Sequence, residues 1–257
     1  MSLASALLVA LGFLLGPWLL MPPRGDREIR GFVRILWILN AFYCHFWHRL
    51  EVRGVDTLPR TGPAILISNH TCCIDHMLLQ AATGRLLGFM IAKELYDYWL
   101  FTRLCATAGC IPVKRDGRDL AAMRSALRAL GEGRVLPIFP EGRIYPTSGR
   151  ELGPGKQGVA YLALKAEVPV VPAYISGTPP TNQIVPSYCW PSRAKVQFGA
   201  PLDLSDLREE TPETGDRLQA ATERLMDALR ALRQNVLAET PASEHPKPHR
   251  VAEPRRG

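Results

Sequence analysis

The chain has 257 residues, with 31 Lys and Arg against 24 Asp and Glu and a formal net charge of +7. That length buries a sizeable core and suits one catalytic domain with appendages. The basic balance suits an anionic membrane surface or an acidic substrate. Nucleic acid fits the charge equally well, but no aromatic RNA-binding box and no paired Cys/His finger occurs, so no nucleic-acid partner is expected.

Residues 1–23 carry no charged side chain, about the length a helix needs to reach across a bilayer core. No Lys or Arg precedes the run and no small-x-small cleavage site follows it, so it does not read as a secretory signal. Pro17 kinks or ends a helix there, which leaves full span and partial insertion both open. The flank of Arg24, Arg27, Arg30 and Arg34 places the following chain on the cytoplasmic side of a membrane. Residues 28–50 are rich in aromatics at near-helical spacing and predict one amphipathic, interfacial helix. The expected organisation is therefore 1–50 membrane-inserted and interfacial helices, 51–239 a catalytic domain, and 240–257 a disordered Pro-, His- and Arg-rich tail.

Within the domain, strand-like runs recur at 51–53, 63–68, 86–92, 110–114, 134–139, 168–175 and 194–199. Helix-like stretches at 75–83, 94–107, 119–131 and 157–166 separate many of them, and 214–238 forms a late helix. This alternation predicts an α/β fold, a largely parallel sheet flanked by helices. The six cysteines (Cys44, Cys72, Cys73, Cys105, Cys110 and Cys189) lack C-x-x-C spacing and read as free thiols of a reducing compartment.

The chemistry concentrates where apolar runs end in polar turns. After Pro63–Ser68 come Asn69, His70 and, five residues beyond the histidine, Asp75. A neutral imidazole takes a proton from an alcohol near neutral pH, and a carboxylate fixes its tautomer and stabilises the imidazolium. With no Ser or Cys nucleophile paired to them, the substrate is left to supply the nucleophile. A second run, Val135–Phe139, ends in Pro140-Glu141-Gly142-Arg143, and between the two lies Gly109–Arg115. His70, Cys72, Cys73 and His76 are all ligand types, but adjacent cysteines rarely chelate one zinc, so no metal is expected.

Taken in order, these blocks resemble the glycerolipid acyltransferase family, whose best-known members are lysophosphatidic acid acyltransferases. His70 and Asp75 stand at the positions of its N-H-x-x-x-x-D motif. Gly109, Ile111 and Arg115 match its second motif, Phe139-Pro140-Glu141-Gly142 its third, and Val171-Pro172 its short fourth; the resemblance covers roughly residues 50 to 200. It implies a glycerol-3-phosphate acyltransferase-like fold and a membrane-associated O-acyltransferase. The reaction moves a fatty acyl group from acyl-CoA or acyl-carrier protein to a lysophospholipid hydroxyl, without a cofactor. His70 is then the general base and Asp75 its orienter. Lys93, Arg115, Glu141, Gly142 and Arg143 become substrate-binding candidates: Arg115 as a phosphate clamp, Glu141 as an organiser of the site, Gly142 for close backbone approach. Lys156 is a weaker cationic candidate. Many members carry Thr then Arg after the third motif; here Arg143-Ile144-Tyr145-Pro146 follows. That departure leaves other acceptors open, such as a lyso-ornithine lipid, beside a non-catalytic lipid-binding role.

Overall fold

The computed structural model describes residues 29–97, 99–114, 119–209 and 214–239. The expectations for residues 1–23, for Arg24, Arg27 and Arg115, and for the tail from residue 240 lie outside these. In chain order the described elements are α1 (Gly31–Trp47), β1 (Glu51–Arg53), β2 (Ala64–Ser68), α2 (Asp75–Ala82), β3 (Met90–Ala92), α3 (Lys93–Tyr96), α4 (Trp99–Thr107), β4 (Ile111–Val113), α5 (Leu120–Gly131), β5 (Val135–Ile138), α6 (Gln157–Ala166), β6 (Val170–Ser176), α7 (Ile184–Cys189), β7 (Lys195–Phe198), α8 (Asp206–Glu209) and α9 (Thr214–Glu239).

β2 and β6 are buried at every position, the mark of strands covered on both faces. They pair in parallel, and β5 pairs in parallel with the other side of β2. β7 joins β6 antiparallel and β1 joins β7 parallel, giving the order β1-β7-β6-β2-β5. Side chains alternate across the sheet with a period of two and so feed two cores. Leu66, Val171, Ala173 and Val196 point to the side of α1 and α2, with Ala41, Cys44, Leu78 and Leu79. Ile65, Ile67, Leu136 and Val170 point to the other side, against Ala126 of α5, Ala160 of α6 and Leu225 of α9.

Two expected elements differ. The run 86–92 supplies a strand only at β3, which pairs with β4, because the chain changes partner at Gly88: Leu87 bridges Val135, while the Phe89 carbonyl accepts from Ile111. The single helix expected over 94–107 is two, α3 and α4. The Tyr96 carbonyl is taken by the Thr102 hydroxyl at 2.9 Å, satisfying a terminal group that an unbroken helix would give to an in-line amide.

The helix expected over 28–50 is α1. Trp37, Ile38, Ala41 and Cys44 face the domain, while Phe32, Ile35, Leu39 and Phe46 form an exposed apolar stripe. Fully burying a side chain such as that of Ile38 stabilises by about 1.5–3 kcal/mol, so the inward face is what fixes α1 to the domain. Among the described residues no helix is long and apolar enough to cross a membrane.

Candidate active site

The polar turn after β2 is shaped by Asn69. Buried behind the strand end, its side chain donates to the Ile175 carbonyl at 2.9 Å and accepts from the Ile175 amide at 2.7 Å. It takes the role of a strand neighbour where the ladder stops and sets the direction in which His70 leaves the sheet.

His70 and Asp75 meet. α2 begins at Asp75, with Ile74 at its N-cap, so the carboxylate folds back over the turn and accepts from His70 Nδ1 at 2.8 Å. Asp75 is fully buried. The same Oδ2 accepts from the Thr71 and Cys72 amides, and Oδ1 accepts from the Thr71 hydroxyl at 2.6 Å. Thr178 donates in turn to the Thr71 hydroxyl at 3.0 Å. Every partner of this carboxylate is a donor, which suits an acceptor-only group. With Nδ1–H directed at Asp75, Nε2 carries the imidazole lone pair. The ring lies flat on Phe139, centroids 4.1 Å apart and planes within 8°, with 22% of the side chain exposed. Among the described residues Nε2 has no hydrogen-bond partner.

Glu141 is buried beside them. Its Oε1 accepts from the His70 amide at 2.9 Å and its Oε2 from the Gly153 amide at 2.7 Å. Burial pushes its carboxyl above the ordinary value, against the pull of those two amides. Both oxygens serve the backbone, so Glu141 ties the two turns together through hydrogen bonds, and among the described residues no arginine pairs with it. Gly142 closes the turn at φ 69°, donating to the Phe139 carbonyl at 2.9 Å. A Cβ there would lie 2.7 Å from Lys156 Nζ, so the missing side chain makes room for the Lys156 side chain across the turn.

The remaining candidates are scattered. Arg143 is exposed and stacks over the Tyr145 ring, 4.5 Å from its centroid. Lys93 opens α3 on the surface and pairs with Asp97 at 2.6 Å, which raises its pKa; no contact joins it to the dyad. Lys156, weaker in sequence, is the cation the fold brings over the motif turn. His76 follows Asp75 but faces Phe89 edge-on and the Tyr188 hydroxyl, and burial lowers its pKa to about 4. Burial, followed by the nearby Asp75 charge, holds the Cys72 thiol well above its ordinary value, so it is a protonated donor and not a nucleophile. Among the described residues no cluster of three His, Cys, Asp or Glu side chains is disposed to hold a metal ion. Sequence reasoning missed Thr71, Thr178 and Gly153 as parts of the site. Thr71 carried a signal, a hydroxyl inside the turn; the other two are far away in sequence.

Residues 49–176 match a model of the Acyltransferase family. The chain is 28% identical over 165 residues to a chloroplastic 1-acyl-sn-glycerol-3-phosphate acyltransferase of Brassica napus, covering 63% of this chain and 46% of that protein. It is 25% identical over 213 residues to the 1-acyl-sn-glycerol-3-phosphate acyltransferase of Streptococcus pneumoniae, covering 78% and 74%. The beta form of the human enzyme of that name is 29% identical over 157 residues, covering 59% and 55%. The chain thus spans about half the length of the plant and human relatives it matches. Its fold is similar to the crystal structure of the 1-acyl-sn-glycerophosphate acyltransferase PlsC from Thermotoga maritima, with a TM-score of 0.61, 22% identity and 88% of each chain covered. The family match spans the segment that carries the dyad, and the named relatives and shared fold agree with it: the chain belongs to the acyltransferase family that includes the 1-acyl-sn-glycerol-3-phosphate acyltransferases.

Proposed function

We propose that this protein transfers a fatty acyl group from an acyl thioester, carried by coenzyme A or acyl-carrier protein, to the free hydroxyl of a lysophospholipid. The first candidate is 1-acylglycerol-3-phosphate, the acceptor in the names of its relatives, with phosphatidic acid as product. The observation that carries the reading is an oriented imidazole whose Nε2 is open and, among the described residues, has no protein nucleophile hydrogen-bonded to it. Nε2 takes the acceptor hydroxyl's proton as its oxygen attacks the thioester carbon. Asp75 holds the tautomer and stabilises the imidazolium, as the third member of a hydrolase triad does. Collapse forms the ester, breaks the carbon–sulfur bond, and returns the proton to the departing thiolate. No redox step occurs, so no cofactor is required.

Charge on the developing oxyanion needs donors, yet the amides of residues 70, 71, 72 and 142 are engaged by Glu141, Asp75 and Phe139. Stabilisation therefore falls to cations at the rim, for which Lys156 is the candidate over the turn. A second reading, an acceptor without a phosphate monoester such as a lyso-ornithine lipid, is favoured by one feature: Arg143 stacks on Tyr145 and no Thr follows Gly142. We place the protein at a membrane with its catalytic domain on the cytoplasmic side. The uncharged run 1–23, its arginine flank and the exposed stripe of α1 support this. The test is acyl transfer by purified full-length protein across a panel of lysolipids with both donor types. Turnover with lysophosphatidate is expected. Turnover with lyso-ornithine lipid alone selects the second reading, and none with any acceptor refutes the activity.

A further inference from the structure

Three of the cysteines direct their thiols at oxygen: Cys44 at the Asn40 side chain, Cys72 at Asp75 and Cys73 at the Asn182 carbonyl. Cys105 and Cys110 meet each other instead, and the way α4 ends explains why. Gly109 takes a φ of 70°, its amide donates to the Ala106 carbonyl at 3.1 Å, and the Cys110 amide donates to the Cys105 carbonyl at 2.8 Å. Two nested bonds closing a helix on a left-handed glycine bring together the side chains at the outer pair of positions, usually as an apolar contact. Here both positions hold cysteine. Glycine is required at 109 twice over, by its φ and because a Cβ would collide with the Arg134 guanidinium. The cap is therefore a fixed frame that holds two thiols side by side.

The Cys110 thiol donates to the Cys105 sulfur, which offsets part of the rise that burial imposes on Cys105. Burial pushes Cys110 itself up to about 12. Thiols held so firmly protonated react slowly, so the pair stays reduced until an oxidant small enough to enter reaches it. Cys105 is buried and Cys110 half-buried, so such an oxidant meets Cys110 first, with the second sulfur already in contact behind it. Two sulfurs held in contact by the backbone are the starting geometry for a disulfide that needs no movement of the chain.

We infer that Cys105 and Cys110 form a reversible, peroxide-sensitive thiol–disulfide couple that staples the last turn of α4 to the residue before β4. Hydrogen peroxide oxidises the Cys110 thiol to a sulfenic acid and is itself reduced to water. The Cys105 sulfur then attacks the Cys110 sulfur; the S–S bond forms, the S–O bond breaks, and the hydroxyl leaves with the Cys105 proton as water. The inference stands apart from the acyl-transfer reading, and its test needs no turnover. Full-length protein is treated with hydrogen peroxide, alkylated, cut with trypsin and weighed. Cleavage after Arg103 and Lys114 releases both cysteines on one peptide that contains no Met, Trp or Tyr. In most of the protein that peptide should be unalkylated and lighter by two hydrogens than its reduced form, and dithiothreitol should restore it. In Cys105→Ser, Cys110 lacks its resolving partner and should pass on to the sulfinic acid, which dithiothreitol does not reverse. Because closure fits the existing cap, the thermal midpoint of the treated protein should be no lower before dithiothreitol than after it. A peptide still reduced under peroxide that oxidises the exposed Cys189 overturns the inference. So does sulfinic acid in the parent without the disulfide, pairing of either thiol with another cysteine, or a midpoint lower in the disulfide form.

Discussion

Asp75 accepts only from donors and is fully buried, so an amide, which turns one of its two acceptor oxygens into an NH₂ donor, cannot stand in for it. Asp75→Asn would set an NH₂ against the Thr71 hydroxyl at the Oδ1 position, or against the Thr71 and Cys72 amides and the His70 Nδ1–H at the Oδ2 position. Leaving such a buried donor unpaired costs about 1–3 kcal/mol, so the variant should unfold at lower temperature as well as turn over slowly. The rate loss expected for a wrongly held imidazole is about 10⁴-fold, read from single-turnover acyl transfer on the folded fraction. The headgroup is a separate matter. Lys156 lies over the motif turn, whereas Arg143 is on Tyr145. Lys156→Ala should therefore raise acceptor KM or lower kcat more than Arg143→Ala does. For a phosphate-bearing acceptor, Arg115→Ala should raise KM about tenfold or more, as loss of a charge-assisted contact predicts. Kinetics with saturating donor decide this, and an Arg115→Ala enzyme with unchanged constants removes Arg115 from the headgroup site.

The elements show which parts of this were legible beforehand. His70, Asp75 and Glu141 come together because two apolar runs end in polar turns on parallel neighbours of one sheet, β2 and β5, and that pattern is local and readable. The antiparallel β7, the short α7 and α8, and the Asn69–Ile175 pairing depend on contacts across long sequence separations, which no local period reveals. Lys93 and Asp97 follow the same rule from the other side. Their spacing of four is a surface helix pair, and that is what α3 makes of it. α1 combines both cases: its stripe was readable as amphipathic, but the buried His48 that ends it was not. Burial lowers the pKa of His48 to about 4 from an ordinary 6.5. The unfolded chain therefore binds the proton first. Stability is complete above pH 6.5 and falls with pH toward 4, by up to roughly 3 kcal/mol from this residue. Thermal midpoints measured from pH 7 to pH 5 should fall for the parent and fall less for His48→Gln. An equally steep decline in the variant would assign the loss to other groups, such as His76, whose pKa burial lowers to the same value.

At the scale of the molecule, one edge of the sheet carries the candidate site while helices cover both of its faces. The buried strands β2 and β6 hold the turn that carries the dyad, and α1 packs against α2, the helix that begins at Asp75. A shift of α1 therefore bears directly on the element that orients the imidazole. His70 itself contributes little to the cores: its ring rests on Phe139 and stays partly exposed, so its removal should leave the thermal midpoint nearly unchanged. The most direct test of the central claim is acyl transfer by purified full-length protein and its His70→Ala variant, with lysophosphatidate and a labelled acyl thioester, beside thermal unfolding of both. A folded, donor-binding variant with transfer abolished is the predicted result; a folded variant that turns over at the parent's rate would contradict the dyad mechanism.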